Sequence, residues 1–159
     1  MRIDIITLFP EMCESVLSES IIGRGREAGL IDIRCHHIRD YSPDKRRRTD
    51  DYPYGGGMGM LMAAPPIYNC YEAVKSIADE ALGGKEDIKR KVVYMSPKGK
   101  VLTQAKAAEL SALDNLIILC GHYEGVDARV EDWMDEQLSI GDYVLTGGEL
   151  AAEVITDSI

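Results

Sequence analysis

The sequence predicts an α/β domain with a mostly parallel sheet flanked by helices, on the strength of two observations. Short apolar or β-branched segments alternate with amphipathic segments along the chain, and this alternation is typical of parallel sheets. Residues 116–120 form a continuous apolar run, as expected for a strand that is buried on both faces. The chain has 159 residues and no internal repeat, which favours a single domain spanning residues 1–159.

The individual elements follow from the hydrophobic pattern and from residues that begin or end helices. Pro10 and Pro65-Pro66 favour a first helical turn, Thr103 is a suitable N-cap, and Gly29 is a suitable C-terminal stop. Strands are predicted at residues 2–8, 31–37, 91–95, 116–120 and 137–140. Helices are predicted at residues 10–17, 20–28, 65–82, 103–112, 126–134 and from 148 onward.

The charge of the chain argues against a general nucleic-acid binder. The net charge is −9, and contacts with phosphate need Lys and Arg. Residues 1–48 hold nine basic and eight acidic side chains, whereas residues 121–159 hold ten acidic side chains and one basic side chain. Any contact with RNA is therefore expected near the basic run Lys45-Arg46-Arg47-Arg48, although a solvated loop explains that run equally well.

The remaining composition predicts a cytoplasmic protein with reduced thiols. The four cysteines lie far apart and form no Cys-x-x-Cys pair, so no disulfide framework is expected. Cys35, His36 and His37 are adjacent, but neighbours on a strand point to opposite faces and converge poorly on one ion, so we predict no metal site. No apolar run approaches the roughly 20 residues that cross a membrane, and we expect no membrane partner.

Three glycine-bearing loops follow predicted strands, at the sheet edge where parallel sheets bind ligands. Glycine lets the backbone approach a ligand closely, and Tyr123 and Tyr143 could enclose an adenine ring. Glu124 could attract a cation such as the amino group or the sulfonium of S-adenosylmethionine. Any one of these loops could serve turn geometry alone, but together they predict a ligand pocket without naming the ligand. The loops are residues 96–99, 121–125 and 140–148.

A fourth glycine-rich segment lies within residues 40–62, a stretch with little periodicity. Aperiodic loops of this length inside a compact domain are usually functional. The segment reads Tyr54-Gly55-Gly56-Gly57-Met58-Gly59-Met60. No Gly-Lys-Ser/Thr follows it, so it is not a phosphate-binding P-loop, and its spacing does not match the dinucleotide fingerprint. A loop that is only flexible or closely packed is the alternative interpretation.

Taken together, the motifs of this chain resemble those of the bacterial tRNA (guanine-N1)-methyltransferases of the SPOUT class. The resemblance covers the whole chain in the family's order, and the last two motifs are highly specific to it. It implies a SPOUT-type fold with a trefoil knot near the C-terminal loops, although threaded chains are otherwise nearly absent from proteins. The motifs are IITLFPEM (5–12), Asp50-Asp51 followed by PYGGG (53–57), Ser96-Pro97, CGHYEGVD (120–127) and IGDYVLTGGE (140–149).

The resemblance also implies a reaction and its participants. The reaction is methyl transfer from S-adenosyl-L-methionine to N1 of the guanosine immediately 3′ of the anticodon in tRNA, by a homodimer with its active site between subunits. The residues implied to contact the cofactor are Met95, Pro97, Gly121, Tyr123, Glu124, Ile140, Gly141, Asp142, Tyr143, Val144, Leu145, Gly147 and Gly148. A loop is also implied to close over the cofactor and the target base. The residues implied to contact RNA or the target base are those of the basic run and of this loop: Arg46, Arg47, Arg48, Tyr54, Gly55, Gly56, Gly57 and Gly59.

Three departures from the family pattern affect what we expect of these 159 residues. His122 stands where the family usually has Arg, and Met58 stands where it usually has Pro. The family's essential arginine, its general-base aspartate and its C-terminal tRNA-binding domain would all follow Ile159. We therefore expect the chain to fold and bind the cofactor without methylating tRNA at a useful rate. No catalytic set is complete within it, and Glu124 and Asp50 are only supporting candidates, as electrostatic and positioning groups.

Two other functions remain open at this point. One is a different SPOUT RNA methyltransferase, such as an enzyme acting on ribose oxygens, although the two specific motifs argue against it. The other is a non-catalytic RNA-binding domain with a vestigial pocket, which tight tRNA binding without cofactor binding would favour.

Overall fold

The computed structural model describes all residues 1–159. Its helices are α1 (Pro10–Leu17), α2 (Ser20–Glu27), α3 (Ala64–Ala81), α4 (Gln104–Ser111) and α5 (Glu149–Ser158). Its strands are β1 (Arg2–Thr7), β2 (Asp32–His37), β3 (Asp50–Asp51), β4 (Leu61–Met62), β5 (Arg90–Val101), β6 (Asn115–Cys120) and β7 (Glu136–Ser139). Two 3-10 helices, Ile38–Tyr41 and Ala128–Trp133, complete the secondary structure.

Five strands form one sheet in the order β2-β1-β6-β5-β7, and all four neighbouring pairs are parallel. Strands β1 and β6 are buried at every position, as expected for strands covered on both faces. On one face Ile5 and Ile118 pack with side chains of α1, α4 and α5, and on the other Ile6 and Ile117 pack with α3. The predicted α/β class with a parallel sheet flanked by helices is thus confirmed. The trefoil knot stays a prediction.

Several predicted helix starts and ends are confirmed. Proline occupies the first turn of α1 and of α3. The Thr103 hydroxyl accepts a hydrogen bond from the Lys106 N–H at 3.2 Å, so it caps α4 as predicted. Gly29 has φ +69° just beyond α2, a left-handed conformation that glycine adopts without steric cost.

Strand β5 is longer than its apolar pattern predicts. Residues 96–99 were expected to form a free loop, but β5 continues to Val101 with an irregular register, so that Leu138 pairs with both Met95 and Lys100. A Cβ on Gly99 would lie 2.6 Å from the backbone of Leu138. The prediction was wrong because this extension depends on pairing with β7, which the local sequence does not report.

Two other segments differ from their predictions. Residues 126–134 were predicted as a helix, but only a 3-10 helix forms at Ala128–Trp133. The segment 40–62, predicted to be aperiodic, contains a short antiparallel ladder in which Asp50 pairs with Met62 and Asp51 with Leu61. This ladder holds the base of the glycine-rich segment, whose tip has no regular structure.

A buried polar network closes the amino end of the sheet. The Asp4 carboxylate is fully buried and accepts hydrogen bonds from Arg2, Asn115 and His36 at 2.8 Å each. Burial raises the pKa of Asp4, but the hydrogen bonds from His36 and Arg2 outweigh burial and hold the pKa below its usual value. Asp4 is therefore a charged, fully paired group that links β1, β2 and β6.

The helices carry no membrane-crossing segment: none combines the necessary length with sufficiently apolar composition.

Candidate functional site

A cleft of about 280 Å³ lies beyond the carboxyl ends of β6 and β7 and against the irregular part of β5. Parallel sheets commonly bind ligands at this edge. Most of its lining comes from three segments that are far apart in sequence, 94–98, 121–126 and 138–148, and Glu131 and Ala151 complete it. The cleft therefore gathers all three glycine-bearing loops that the sequence places after strands.

Glycines shape the wall of the cleft because no side chain would fit at their positions. A Cβ on Gly148 would lie 2.8 Å from Cys120 Cα and 3.0 Å from the Gly121 nitrogen. A Cβ on Gly121 would lie 2.8 Å from the Tyr94 ring. The Gly148 N–H also donates to the Gly121 carbonyl at 2.8 Å. These contacts bring two loops into direct backbone contact, and this contact forms one side of the cleft.

The lining combines apolar surface with a few charges. Leu138, Ile140 and Leu145 supply aliphatic surface, and the charged side chains are Lys98, Glu124 and Glu131. Burial, and secondarily the charge of Glu131, raises the pKa of Tyr94. The Tyr94 phenol therefore remains neutral at physiological pH and can donate a hydrogen bond.

Most residues predicted to contact the cofactor meet in this cleft. Gly141 and Asp142 do not line it. Gly141 instead exchanges hydrogen bonds with the Ser139 hydroxyl, accepting at 2.8 Å and donating at 3.2 Å, and it lies under the Tyr143 ring. The predicted residues that line the cleft are Met95, Pro97, Gly121, Tyr123, Glu124, Ile140, Tyr143, Val144, Leu145, Gly147 and Gly148.

Sequence reasoning missed several lining residues. Ser96 and Lys98 stand inside a loop that was singled out and could have been named with it. No sequence pattern indicated that Glu131 lines the cleft, because residues 126–134 were interpreted only as a helix. His122 was noted only for its departure from the family pattern. The lining residues that were not named are Tyr94, Ser96, Lys98, His122, Gly125, Val126, Glu131, Leu138, Ser139, Thr146 and Ala151.

The glycine-rich segment 54–60 is tied to the edge of the cleft at its base only. The Met62 N–H donates to the Gly125 carbonyl at 3.0 Å, and the Glu124 N–H donates to the Met60 carbonyl at 3.1 Å. The Glu124 side chain lies across Gly59, where a Cβ would be 2.5 Å from Cγ. The tip projects into solvent, and Tyr54 is fully exposed. None of the predicted target-base loop residues lines the cleft.

The basic run lies outside the cleft, and two of its four residues form ion pairs. Arg47 forms an ion pair with Asp40, and Arg48 pairs with Asp44 at 2.5 Å. Arg46 is exposed and makes no ion pair. Asp50 lies in β3 rather than in the cleft.

Behind the wall of the cleft lies a layer of buried polar groups. Glu149, at the first turn of α5, is 2% exposed and accepts a hydrogen bond from the Thr7 hydroxyl at 2.7 Å. Its second oxygen, Oε2, lies 3.7 Å from Nδ1 of His122. That nitrogen is buried and has no hydrogen-bond partner. The His122 ring also packs against Phe9, with ring centroids 5.0 Å apart.

No metal site was predicted at Cys35, His36 and His37, which lie on β2 and outside the cleft. His36 bonds Asp4, and the His37 ring accepts a hydrogen bond from the Arg39 N–H. The three side chains do not converge, and no three His, Cys, Asp or Glu residues are grouped to hold an ion.

Comparisons with known proteins place this architecture in a family. A family model described as tRNA (guanine-1)-methyltransferase TrmD matches residues 1–159. The tRNA (guanine-N(1)-)-methyltransferase of Ruminiclostridium cellulolyticum is 52% identical over 160 residues, which cover 100% of this chain and 65% of the relative. The protein of that name from Heliobacterium modesticaldum is 47% identical, with 100% of this chain and 58% of the relative covered.

A solved structure agrees with these sequence matches. The crystal structure of tRNA (m1G37) methyltransferase from Aquifex aeolicus matches with a TM-score of 0.85 and 33% identity, covering 99% of this chain and 67% of that chain. The chain thus spans between about three fifths and two thirds of the length of the relatives it matches. On its sequence, its fold and the family model that covers all of it, the chain belongs to the tRNA (guanine-1)-methyltransferase TrmD family.

Proposed function

We propose that the protein transfers a methyl group from S-adenosyl-L-methionine to N1 of the guanosine immediately 3′ of the anticodon in tRNA, in the cytoplasm. One observation carries this proposal for the site. Residues 121–126, 140 and 143–148, which belong to the two motifs most specific to the family, line the cleft at the carboxyl end of the sheet. The same cleft is proposed as the cofactor site.

The chemistry of the lining fits S-adenosylmethionine. Leu138, Ile140 and Leu145 provide apolar surface for an adenine ring, and the loop backbone offers N–H and C=O groups for its edge. Glu124 and Glu131 would attract the amino group and the sulfonium, and Lys98 would pair with the carboxylate. The bound cofactor supplies a methyl group that is already activated, so the work left to the protein is mainly to orient it and exclude water.

The glycine-rich segment is proposed to close over the target base. Its tip is exposed while its base is hydrogen-bonded to residues 124 and 125 of the cleft wall. A base reached by a protein must leave its stack and present its Watson–Crick edge, so a cover that is anchored beside the cleft suits this task. Arg46, which is exposed and makes no ion pair, is free to contact phosphate.

We propose a second copy of this chain as a partner. Helices α1 and α5 pack against each other, and both leave apolar side chains exposed to solvent. Homodimer formation would bury them, and contiguous exposed apolar surface often marks an interface. Sedimentation analysis should give twice the monomer mass, and Val154→Asp should return the protein to a monomer. The exposed side chains are Phe9, Met12, Val16, Leu150 and Val154.

Calorimetric titration of S-adenosylmethionine into the 159-residue chain tests the cofactor site. We expect one molecule bound per chain and loss of binding in Leu145→Asp, because a carboxylate replaces apolar lining that is already partly exposed. Leu30→Asp, at an exposed position away from the cleft, is the matched control and should bind as the unchanged chain does.

Product analysis on tRNA with the full-length protein then tests the reaction. Methylation of guanine N1 would support the proposal, whereas a ribose 2′-O product would favour another SPOUT methyltransferase. Tight tRNA binding without cofactor binding would favour a non-catalytic RNA-binding domain. We assign no general base within residues 1–159 and expect these residues alone to bind cofactor without steady turnover. Turnover by this chain alone would contradict that expectation.

A further inference from the structure

His122 has an unusual position for a residue beside a ligand cleft. Its backbone forms an antiparallel bridge with Gly147, and its N–H donates to the sulfur of Met62 at 3.2 Å. Its ring packs between Phe9 and Tyr123, with centroid distances of 5.0 and 5.3 Å. The residue thus contacts the segment after β1, the strand β4 and the turn before α5.

One ring nitrogen of His122 is unpaired and lies near a buried carboxylate. Nδ1 of His122 is buried without a hydrogen-bond partner, and a buried polar atom left unpaired costs free energy. The nearest charged group is Oε2 of Glu149 at 3.7 Å, just beyond the length of an ordinary hydrogen bond. The other Glu149 oxygen already accepts from Thr7 at 2.7 Å, so the carboxylate is held in place on one side only.

The two groups meet over Gly147. A Cβ there would lie 2.5 Å from Nδ1 of His122 and closer still to Oε2 of Glu149. The turn 146–148 and the loop 121–125 both line the cleft. A hydrogen bond between His122 and Glu149 would therefore connect loop 121–125 to the start of α5, directly after the turn 146–148.

We propose that His122 is a positioning residue for the cofactor site: its Nδ1–H donates to Glu149 and thereby holds loop 121–125 against the turn 146–148. The proposal rests on the proposed cofactor site. Functional hydrogen bonds are often long without ligand and shorten in the complex, and a shift of less than about 1 Å would bring this pair within bonding range. The imidazole acts through Glu149 and the loops and does not itself touch the reacting atoms.

The test compares S-adenosylmethionine affinity in His122→Phe, Glu149→Gln and the double variant, with the unchanged chain as reference. Phenylalanine keeps a ring against Phe9 but has no donor, so we expect on the order of tenfold weaker binding from the lost charge-assisted hydrogen bond. Glu149→Gln should weaken binding as well. The double variant should bind no more weakly than the weaker single variant, because the shared interaction is already lost. His37→Gln, outside the cleft, is the matched control for removing an imidazole.

A second readout does not depend on affinity. Nitrogen NMR of the imidazole in the complex should place the proton on Nδ1, with a signal that shifts in Glu149→Gln. Equal affinity of His122→Phe and the unchanged chain, additive losses in the double variant, or a proton on Nε2 would each overturn the proposal. A folded, unchanged chain that binds no S-adenosylmethionine would instead contradict the proposed function itself, and this inference with it.

Discussion

The two ends of the five-stranded sheet are built from different kinds of residue. At the amino end, Arg2, Asp4 and Asn115 are buried and hydrogen-bonded to one another. At the carboxyl end, glycines bring backbone segments together, and Nδ1 of His122 is buried without a partner. The amino end has its buried polar groups paired, whereas the carboxyl end keeps an unpaired buried nitrogen beside the cleft. The comparison indicates that stability is concentrated at the first end and ligand binding at the second.

The largest expected effect comes from breaking the amino end. Asp4→Ala would leave buried donors of Arg2 and Asn115 without their acceptor, so we expect the free energy of unfolding to fall by about 3–5 kcal/mol. Urea denaturation measures this loss. Affinity for S-adenosylmethionine in the folded fraction should not change, because the cleft lies at the other end.

Asp40→Ala is the control for that experiment. Asp40 and its partner Arg47 have side chains that are 54% and 62% exposed, and exposed ion pairs contribute at most about 1 kcal/mol. Equal losses in the two variants would contradict the view that the buried network stabilises the sheet.

The next largest effect should come from the cleft wall. In Gly148→Ala the new methyl group would meet the backbone of Cys120 and Gly121 and the Cβ of Met95, at 2.8–3.1 Å. These atoms cannot move independently, so we expect a loss of about 1–3 kcal/mol of unfolding free energy, as for other overpacked sites. Affinity for S-adenosylmethionine should fall too. A variant with unchanged melting temperature and affinity would show that the wall adjusts.

A smaller effect is expected in the glycine-rich segment. Gly56 has φ +84°, and no atom lies within 4 Å of the point that a Cβ would occupy. The substitution Gly56→Ala therefore causes no clash and only holds alanine in a left-handed backbone conformation. This conformation costs about 1–2 kcal/mol at most, and cofactor affinity should be retained. Thermal denaturation and calorimetry on the same sample separate this conformational requirement from the steric one at Gly148.

The smallest effect should appear in acid. The pKa of Asp4 is lowered in the folded protein, so its contribution to stability is present above the unfolded pKa of about 3.9 and is lost as pH falls through the folded value. Below about pH 4, unfolding free energy should therefore decline less steeply in Asp4→Asn than in the unchanged chain. Identical slopes in urea titrations between about pH 4 and pH 2 would contradict this assignment.

Elements with a strong local signal were predicted well. The continuous apolar run of β6, the prolines at the start of α1 and α3 and the Thr103 cap of α4 all act within a few residues, so the sequence reports them directly. The second half of β5 was missed because it forms only by pairing with β7. The helix predicted over 126–134 tightened into a 3-10 helix, within a segment whose start is hydrogen-bonded to β4.

The residues that line the cleft were likewise predicted where a local sequence pattern exists and missed where none exists. Tyr123, Glu124 and Leu145 were found because glycine-bearing loops follow strands and because the motifs resemble a family. Glu131 was missed, since it approaches the cleft from a segment without any ligand-like pattern. Gly141 and Asp142 were included by motif alone, and they lie outside the cleft because the Ser139 hydroxyl turns the chain at Gly141.

By itself, the sequence determined the fold class, the chain order of the five long strands and five α-helices and the loops that carry ligand chemistry, because periodicity, caps and glycine positions are local properties. Only the tertiary structure decided that Arg2, Asp4 and Asn115 pair in a buried network at the amino end of the sheet. It also decided that Glu149, remote from His122 along the chain, faces the imidazole across Gly147. These arrangements depend on strand order and on distances between segments remote in sequence, and local patterns carry no information about either.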